Sequence, residues 1–133
     1  MKRNVQKEEL IAALESSWSK ETSNSPAEWS VDWPARGQCV VSSLIVQEYL
    51  GGELQKLTSI FNGQLEAHYR NILPDGTLLD TTISQYPADQ ELTIVEVALK
   101  GFPSVRAKRL HDPDTFRRYK LLKDKVAAQL IAK

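Results

Sequence analysis

Hydrophobic residues near the start of the chain recur at helical spacing. Val5, Leu10, Ile11, Leu14 and Trp18 are separated by Glu and Lys, which predicts an amphipathic helix over residues 5–18. A polar loop from Ser19 to Pro26 ends it. Trp29 and Trp33 then flank Val31 in a segment too short and too punctuated by Pro for a helix, so their rings are expected in the core or in a pocket wall. Val40, Val41, Leu44 and Ile45, with Ser42, Ser43, Gln47 and Glu48 on other faces, fit a helical period better than the alternation of a strand. A helix is therefore expected to open at Cys39 and run to Leu50. Its β-branched residues lower intrinsic propensity, so burial must hold it, and Gly51-Gly52 supply the left-handed backbone that ends it.

Downstream the pattern changes. Glu53 to Phe61, Ala67 to Leu73 and Thr77 to Thr81 read as three strands, the last two joined by Pro74-Asp75-Gly76. Such a loop pairs Leu73 with Thr77, and hence Arg70 with Asp80. Beyond Tyr86-Pro87 the run from Leu92 to Leu99 fits either a strand or a short buried helix, and Gly101-Phe102-Pro103 breaks it. After His111 comes a helix start signal, with Asp112 as N-cap and Pro113 at the first helical position. Phe116, Tyr119, Leu122, Val126 and Leu130 mark one face of a long C-terminal helix. The expected class is α+β: the cysteine-bearing helix packed on a small antiparallel sheet, flanked by N- and C-terminal helices.

Composition narrows the function classes. With 133 residues, 41% of them hydrophobic and 26% charged, the chain has the make-up of one globular domain, residues 1–133, long enough for a core. Lys plus Arg equals Asp plus Glu at 17 each, so no global field favours nucleic acid or an anionic membrane, and neither is expected as a partner. The stretch from Lys100 to Lys125 is basic, which a solvated helix face explains. A single Cys cannot staple the fold or build a Cys-rich metal site, and no metal or cofactor is expected. Met1-Lys2-Arg3-Asn4 leads into charged residues rather than an apolar leader, and no window reaches the length of a membrane span, so a cytoplasmic location is expected.

That single cysteine sits where a nucleophile would be built. A thiol is a poor nucleophile at its ordinary pKa of about 8.5, and a helix N-terminus or an adjacent imidazolium lowers that value. Free backbone N–H groups in the first helical turn also face the space where an oxyanion would form on an attacked carbonyl. Of the two histidines, His111 is explained by its place before a helix cap, whereas His68 lies on the hairpin arm opposite Asp80. In the register above, His68 and Asp80 are diagonal neighbours on one face, so the carboxylate can orient the imidazole toward the sulfur. A one-residue slip would separate them. The structural alternative is that each residue only packs: free Cys is often buried and a lone His is often structural.

Trp33-Pro34, Gly37-Gln38-Cys39, Val46-Gln47, Gly51-Gly52, His68-Tyr69, Asn71, Leu73-Pro74-Asp75-Gly76, Asp80, Thr82 and Gln85-Tyr86 together resemble the YunG-like family of small bacterial proteins, over most of the chain. The order Cys, His, Asp on helix and hairpin is similar to the transglutaminase-like branch of the papain-like fold. The resemblance agrees with a Cys39, His68, Asp80 site, and thiol chemistry at such a site needs no cofactor. Gln38, Trp33, Tyr69, Arg70 and Asn71 are the candidates for the walls of a substrate cleft. Arg70 stands where such relatives usually carry Trp after His-Tyr, so one wall is expected to differ. Gln38 adjoins the cysteine more closely than the oxyanion-hole Gln of papain-type proteases, and that role is not carried over to it.

Two functions from different classes follow. One is a thiol-dependent acyltransferase or an amide or peptide hydrolase, with Cys39 attacking a carbonyl of a protein, peptide or small acyl or amide substrate. The other is a non-catalytic module that holds a protein or peptide on the same scaffold.

Overall fold

The computed structural model describes residues 4–131, so the first part of the charged start, Met1 to Arg3, lies outside the described residues. The described chain is α+β, with four helices and a four-stranded antiparallel sheet: α1 (Lys7–Ser17), α2 (Cys39–Leu50), β1 (Glu53–Phe61), β2 (Gln64–Ile72), β3 (Leu78–Leu79), β4 (Thr93–Val95), α3 (Val105–His111) and α4 (Pro113–Ile131).

Helix α2 is the centre. Every residue from Cys39 to Val46 is buried, including Ser42 and Ser43, which the periodicity had assigned to other faces. Both serines have polar partners inside. Ser42 Oγ accepts from Trp18 Nε1 at 2.9 Å, and the Ser43 carbonyl accepts from Asn71 Nδ2 at 2.9 Å. Burying Val41, Ile45 and Val46 stabilises by roughly 1.5–3 kcal/mol each, against a helix-propensity penalty of roughly 0.5 kcal/mol per β-branched residue. Burial wins, as the sequence required. Leu10 and Leu14 of α1, Leu122 and Val126 of α4 and Tyr69 of β2 complete this core.

Gly51 and Gly52 both have positive φ, and a Cβ on Gly52 would lie 2.1 Å from the Ile72 carbonyl oxygen. Only glycine lets the chain leave α2 and pass that close to β2. The sheet order is β3-β2-β1-β4. The first hairpin closes on Asn62-Gly63, with φ of 51° and 77°, and pairs Phe61 with Gln64. Strand β2 therefore starts at Gln64, three residues before Ala67; the Asn-Gly turn signal was in the sequence. The second hairpin keeps the expected register, with Asn71 opposite Leu79 and the Leu73 N–H donating to the Thr77 carbonyl at 2.8 Å. Its outer arm is only Leu78–Leu79, because the chain bends again at Asp80. The ambiguous run from Leu92 becomes a short edge strand on β1.

Helix α3 was not foreseen; Ser104 caps it, its Oγ accepting from the Ala107 N–H. Helix α4 begins as read, with Asp112 Oδ2 accepting from the Thr115 N–H at 2.9 Å. Its inward face differs from the expected one. Phe116 is 47% exposed, while Thr115 and Arg118 are buried beside Tyr119, Leu122, Val126 and Leu130. The basic stretch is thus only partly a solvated face: Arg118 is buried and donates Nη1 to the Thr22 carbonyl at 3.4 Å, and Arg106 donates to the Leu44 carbonyl and Gln47 Oε1 near the C-terminal end of α2, where helix polarity favours a cation. Among the described residues no helix is long and apolar enough to cross a membrane.

Leu122, fully buried, and Phe116, half-exposed, give a direct test of this packing. Leu122→Ala is expected to lose roughly 2–5 kcal/mol in urea unfolding, and Phe116→Ala about 1 kcal/mol or less. Equal losses would contradict the orientation of α4.

Candidate functional site

The chain reaches Cys39 through a loop that is locked before the helix begins. Gly37 has φ +76°, and a Cβ there would sit 2.2 Å from Ser23 Oγ and 2.8 Å from the Ser25 nitrogen. Gln38 is fully buried; its Nε2 donates to the Ser19 carbonyl at 2.9 Å and its Oε1 accepts from Thr22 Oγ1 at 2.8 Å. It anchors the helix start to residues 19–22. Arg36, also buried, donates Nε to Glu28 Oε1 at 2.9 Å and Nη1 to Glu66 Oε1 at 2.8 Å, with Nη2 on Glu66 Oε2. A further Nη1 hydrogen bond reaches Gln85 Oε1 at 3.3 Å, and Nη2 is 2.8 Å from Glu28 Oε1. Its guanidinium carbon lies 5.1 Å from the centroids of both Trp33 and Phe61.

The hairpin brings His68 and Asp80 together as its register required. Nε2 of the fully buried imidazole is 2.7 Å from Asp80 Oδ2, and Asp80 Oδ1 accepts from the Thr82 N–H at 3.3 Å, which steadies the carboxylate. Burial pulls the His68 pKa down; the Asp80 hydrogen bond and the neighbouring Cys39 outweigh it and push it up to about 9. With Nε2 held by Asp80, Nδ1 is the nitrogen left for the sulfur. Gln85 Nε2 stands 3.4 Å from Nδ1, and its carboxamide is oriented from the far end, where Oε1 accepts from Arg36 and from the Gly37 N–H at 3.2 Å. Tyr86 packs edge-on against the imidazole, centroids 5.3 Å apart, and its hydroxyl donates to Glu66 Oε1 at 3.0 Å.

Cys39 is 4% exposed and lines a pocket of about 210 Å³ with Asn24, Ser25, Arg36, Gly37, Glu66, Ala67, Gln85 and Tyr86. The five wall candidates are elsewhere. Gln38 points into the loop anchor; Tyr69 joins the core beneath α2, under the guanidinium of Arg109; and Asn71 binds α2. Arg70 donates Nε to its cross-strand partner Gln55 at 2.7 Å. Trp33 stands behind the wall, its Nε1 donating to the Gln85 carbonyl at 2.9 Å. The sequence reading missed Arg36, Glu66, Gln85 and Tyr86 as pocket residues, although Gln85-Tyr86 belonged to the motif set. His111 ends α3 beside the ring of Phe102, centroids 5.1 Å apart. Among the described residues no group of three or more His, Cys, Asp or Glu is arranged to hold a metal ion.

The profile of a family described as YunG protein matches residues 6–131. The chain belongs to the YunG family. A relative from Bacillus subtilis (strain 168), described as uncharacterized protein YunG, is 31% identical over 80 residues, 59% of this chain. The match spans 61% of that relative's length. No solved structure matches the chain. All the residues described above, from the Arg36 loop to Tyr86, fall inside the segment matched by the YunG profile.

The raised pKa of His68 makes stability depend on pH. The folded value of about 9 exceeds the ordinary 6.5, so this contribution is complete below pH 6.5 and is lost as pH rises through 9. Thermal melts of the wild type are expected to fall across that window. Asp80→Asn removes the carboxylate that raises the value, so its melting temperature should change less over the same range; an equal slope would contradict the assignment.

Proposed function

We propose that the chain is a thiol-dependent acyltransferase or amide hydrolase. In this reading the thiol proton already rests on His68, and the Cys39 thiolate Sγ bonds to the carbonyl carbon of the substrate as the C=O electron pair moves to oxygen. The C–N bond then breaks, the amine leaves with the proton from His68, and water or a second amine removes the acyl group from sulfur. Asp80 holds the ring and balances the imidazolium. The observation that carries the reading is a fully buried imidazole, bound at 2.7 Å by Asp80 and close to Cys39, with that cysteine lining a pocket. A histidine that merely filled the core would need neither partner.

Two further features support it. No side chain caps the N-terminus of α2, so N–H groups of its first turn are available to an oxyanion. The nucleophile on a helix, followed by His and Asp on an antiparallel sheet, is also the order of the transglutaminase-like branch of the papain-like fold, and the reading includes that relation. A chain that only bound peptides would use the same pocket with an unreactive thiol.

Alkylation of the folded protein by iodoacetamide, followed by mass against pH, separates the two. Rapid labelling is expected at neutral pH, with the profile shifted upward in His68→Ala. Labelling that begins only around the ordinary thiol value of about 8.5 would sink the proposal. Asp80→Asn should slow neutral-pH labelling roughly tenfold or more, at a stability loss of no more than about 2 kcal/mol.

A further inference from the structure

The charged groups around the Cys39 pocket are arranged so that the cation is used up and the anions are in excess. Arg36 has five N–H donors and makes four hydrogen bonds within the protein, Nε to Glu28, Nη1 to Glu66 and Gln85 and Nη2 to Glu66, while Nη2 also lies 2.8 Å from Glu28 as an ion pair. The guanidinium is thus directed at carboxylates of the protein and not at one on a substrate. One guanidinium is paired with two carboxylates, Glu66 in the pocket lining and the half-exposed Glu28 outside it, so the cluster around Arg36 carries a net charge of −1. Glu66 stays ionised, because the Arg36 hydrogen bonds hold it below the usual carboxylate range. Tyr86 adds no charge: burial and then Glu66 push its phenol well above the ordinary value. The remaining side chains facing the pocket, Asn24, Ser25, Ala67 and Gln85, are neutral. A protonated His68 does not offset the wall, since its charge is met by Asp80 at 2.7 Å.

We infer that this pocket selects substrates carrying a neutral amide or a cationic group beside the reacting carbonyl and rejects those carrying a carboxylate there, with Arg36, Glu66 and Glu28 as the specificity-determining set. The inference rests on the nucleophile reading above. Arg36 is a clamp of the wall and not an anion receptor, although a buried arginine beside a reactive thiol would ordinarily suggest the latter. A pocket of about 210 Å³ suits a side-chain-sized group next to the carbonyl.

Iodoacetamide and iodoacetate test this, because they put the same reactive carbon beside a neutral amide or a carboxylate. Their rates on the folded protein, read by mass spectrometry, are divided by their rates on the thiol of N-acetylcysteine amide. The normalised preference for iodoacetamide is expected to be roughly tenfold, the effect of one uncompensated charge at close range in a partly screened site. Glu28→Gln, which neutralises the half-exposed member of the set, should reduce that preference. If iodoacetamide labels quickly at neutral pH and iodoacetate does so equally well or better after normalisation, the charge selection is overturned and the nucleophile stands. If neither reagent labels the folded protein faster than the free thiol, the nucleophile reading fails and takes the selectivity with it.

Discussion

The buried guanidinium of Arg36 is the interaction on which the site depends. It joins Glu28 in the loop after α1, Glu66 on β2 and Gln85 beyond the second hairpin, residues that are distant in sequence. A charge removed from water is tolerated only when its donors are met, and leaving such a charge without its partner costs roughly 3–5 kcal/mol. The three segments are therefore held to Arg36, and Cys39, three residues farther on, is carried to the sheet with them. Gly37 completes the constraint: its positive φ and close approach to Ser23 leave the helix start a single path.

Strand alternation turns this clamp into a device for placing an imidazole. Glu66 and His68 are two residues apart on β2 and share a face, so the residue that binds Arg36 also sets the position of His68. Residues of the other parity, Tyr69 and Asn71, turn to the core and to α2. One strand thus serves both the packing of the central helix and the polar site at its N-terminal end. Gln85 links them chemically: its oxygen accepts from Arg36 and Gly37, which directs its amide nitrogen at His68 Nδ1. Asp80 fixes the other ring nitrogen, so the imidazole is held at both edges.

Local chemistry made much of this legible in the chain. The apolar run after Cys39, closed by Gly51-Gly52, specifies a helix; Pro74-Asp75-Gly76 specifies the turn that sets His68 diagonal to Asp80; and Asp112-Pro113 specifies the start of α4. These signals act over a few residues, through backbone conformation and side-chain period, and need no partner elsewhere. The Asn62-Gly63 turn and the Ser104 cap were equally local, and the reading passed over them.

Tertiary structure decided which neighbours in sequence face the site. Gln38 adjoins Cys39 but points into the loop anchor, and Tyr69 adjoins His68 but points into the core, because successive residues of a helix start or a strand project in different directions. The polar wall consists of Arg36, Glu66, Gln85 and Tyr86, whose separations along the chain carry no period. The same holds for Arg118, which reaches the Thr22 carbonyl, and for Ser42, which meets Trp18, polar residues buried only because partners from other elements satisfy them. A sequence specifies its own turns and faces through local physics. Which buried polar group meets which partner is set only when the elements pack, because that pairing joins residues the chain itself keeps apart.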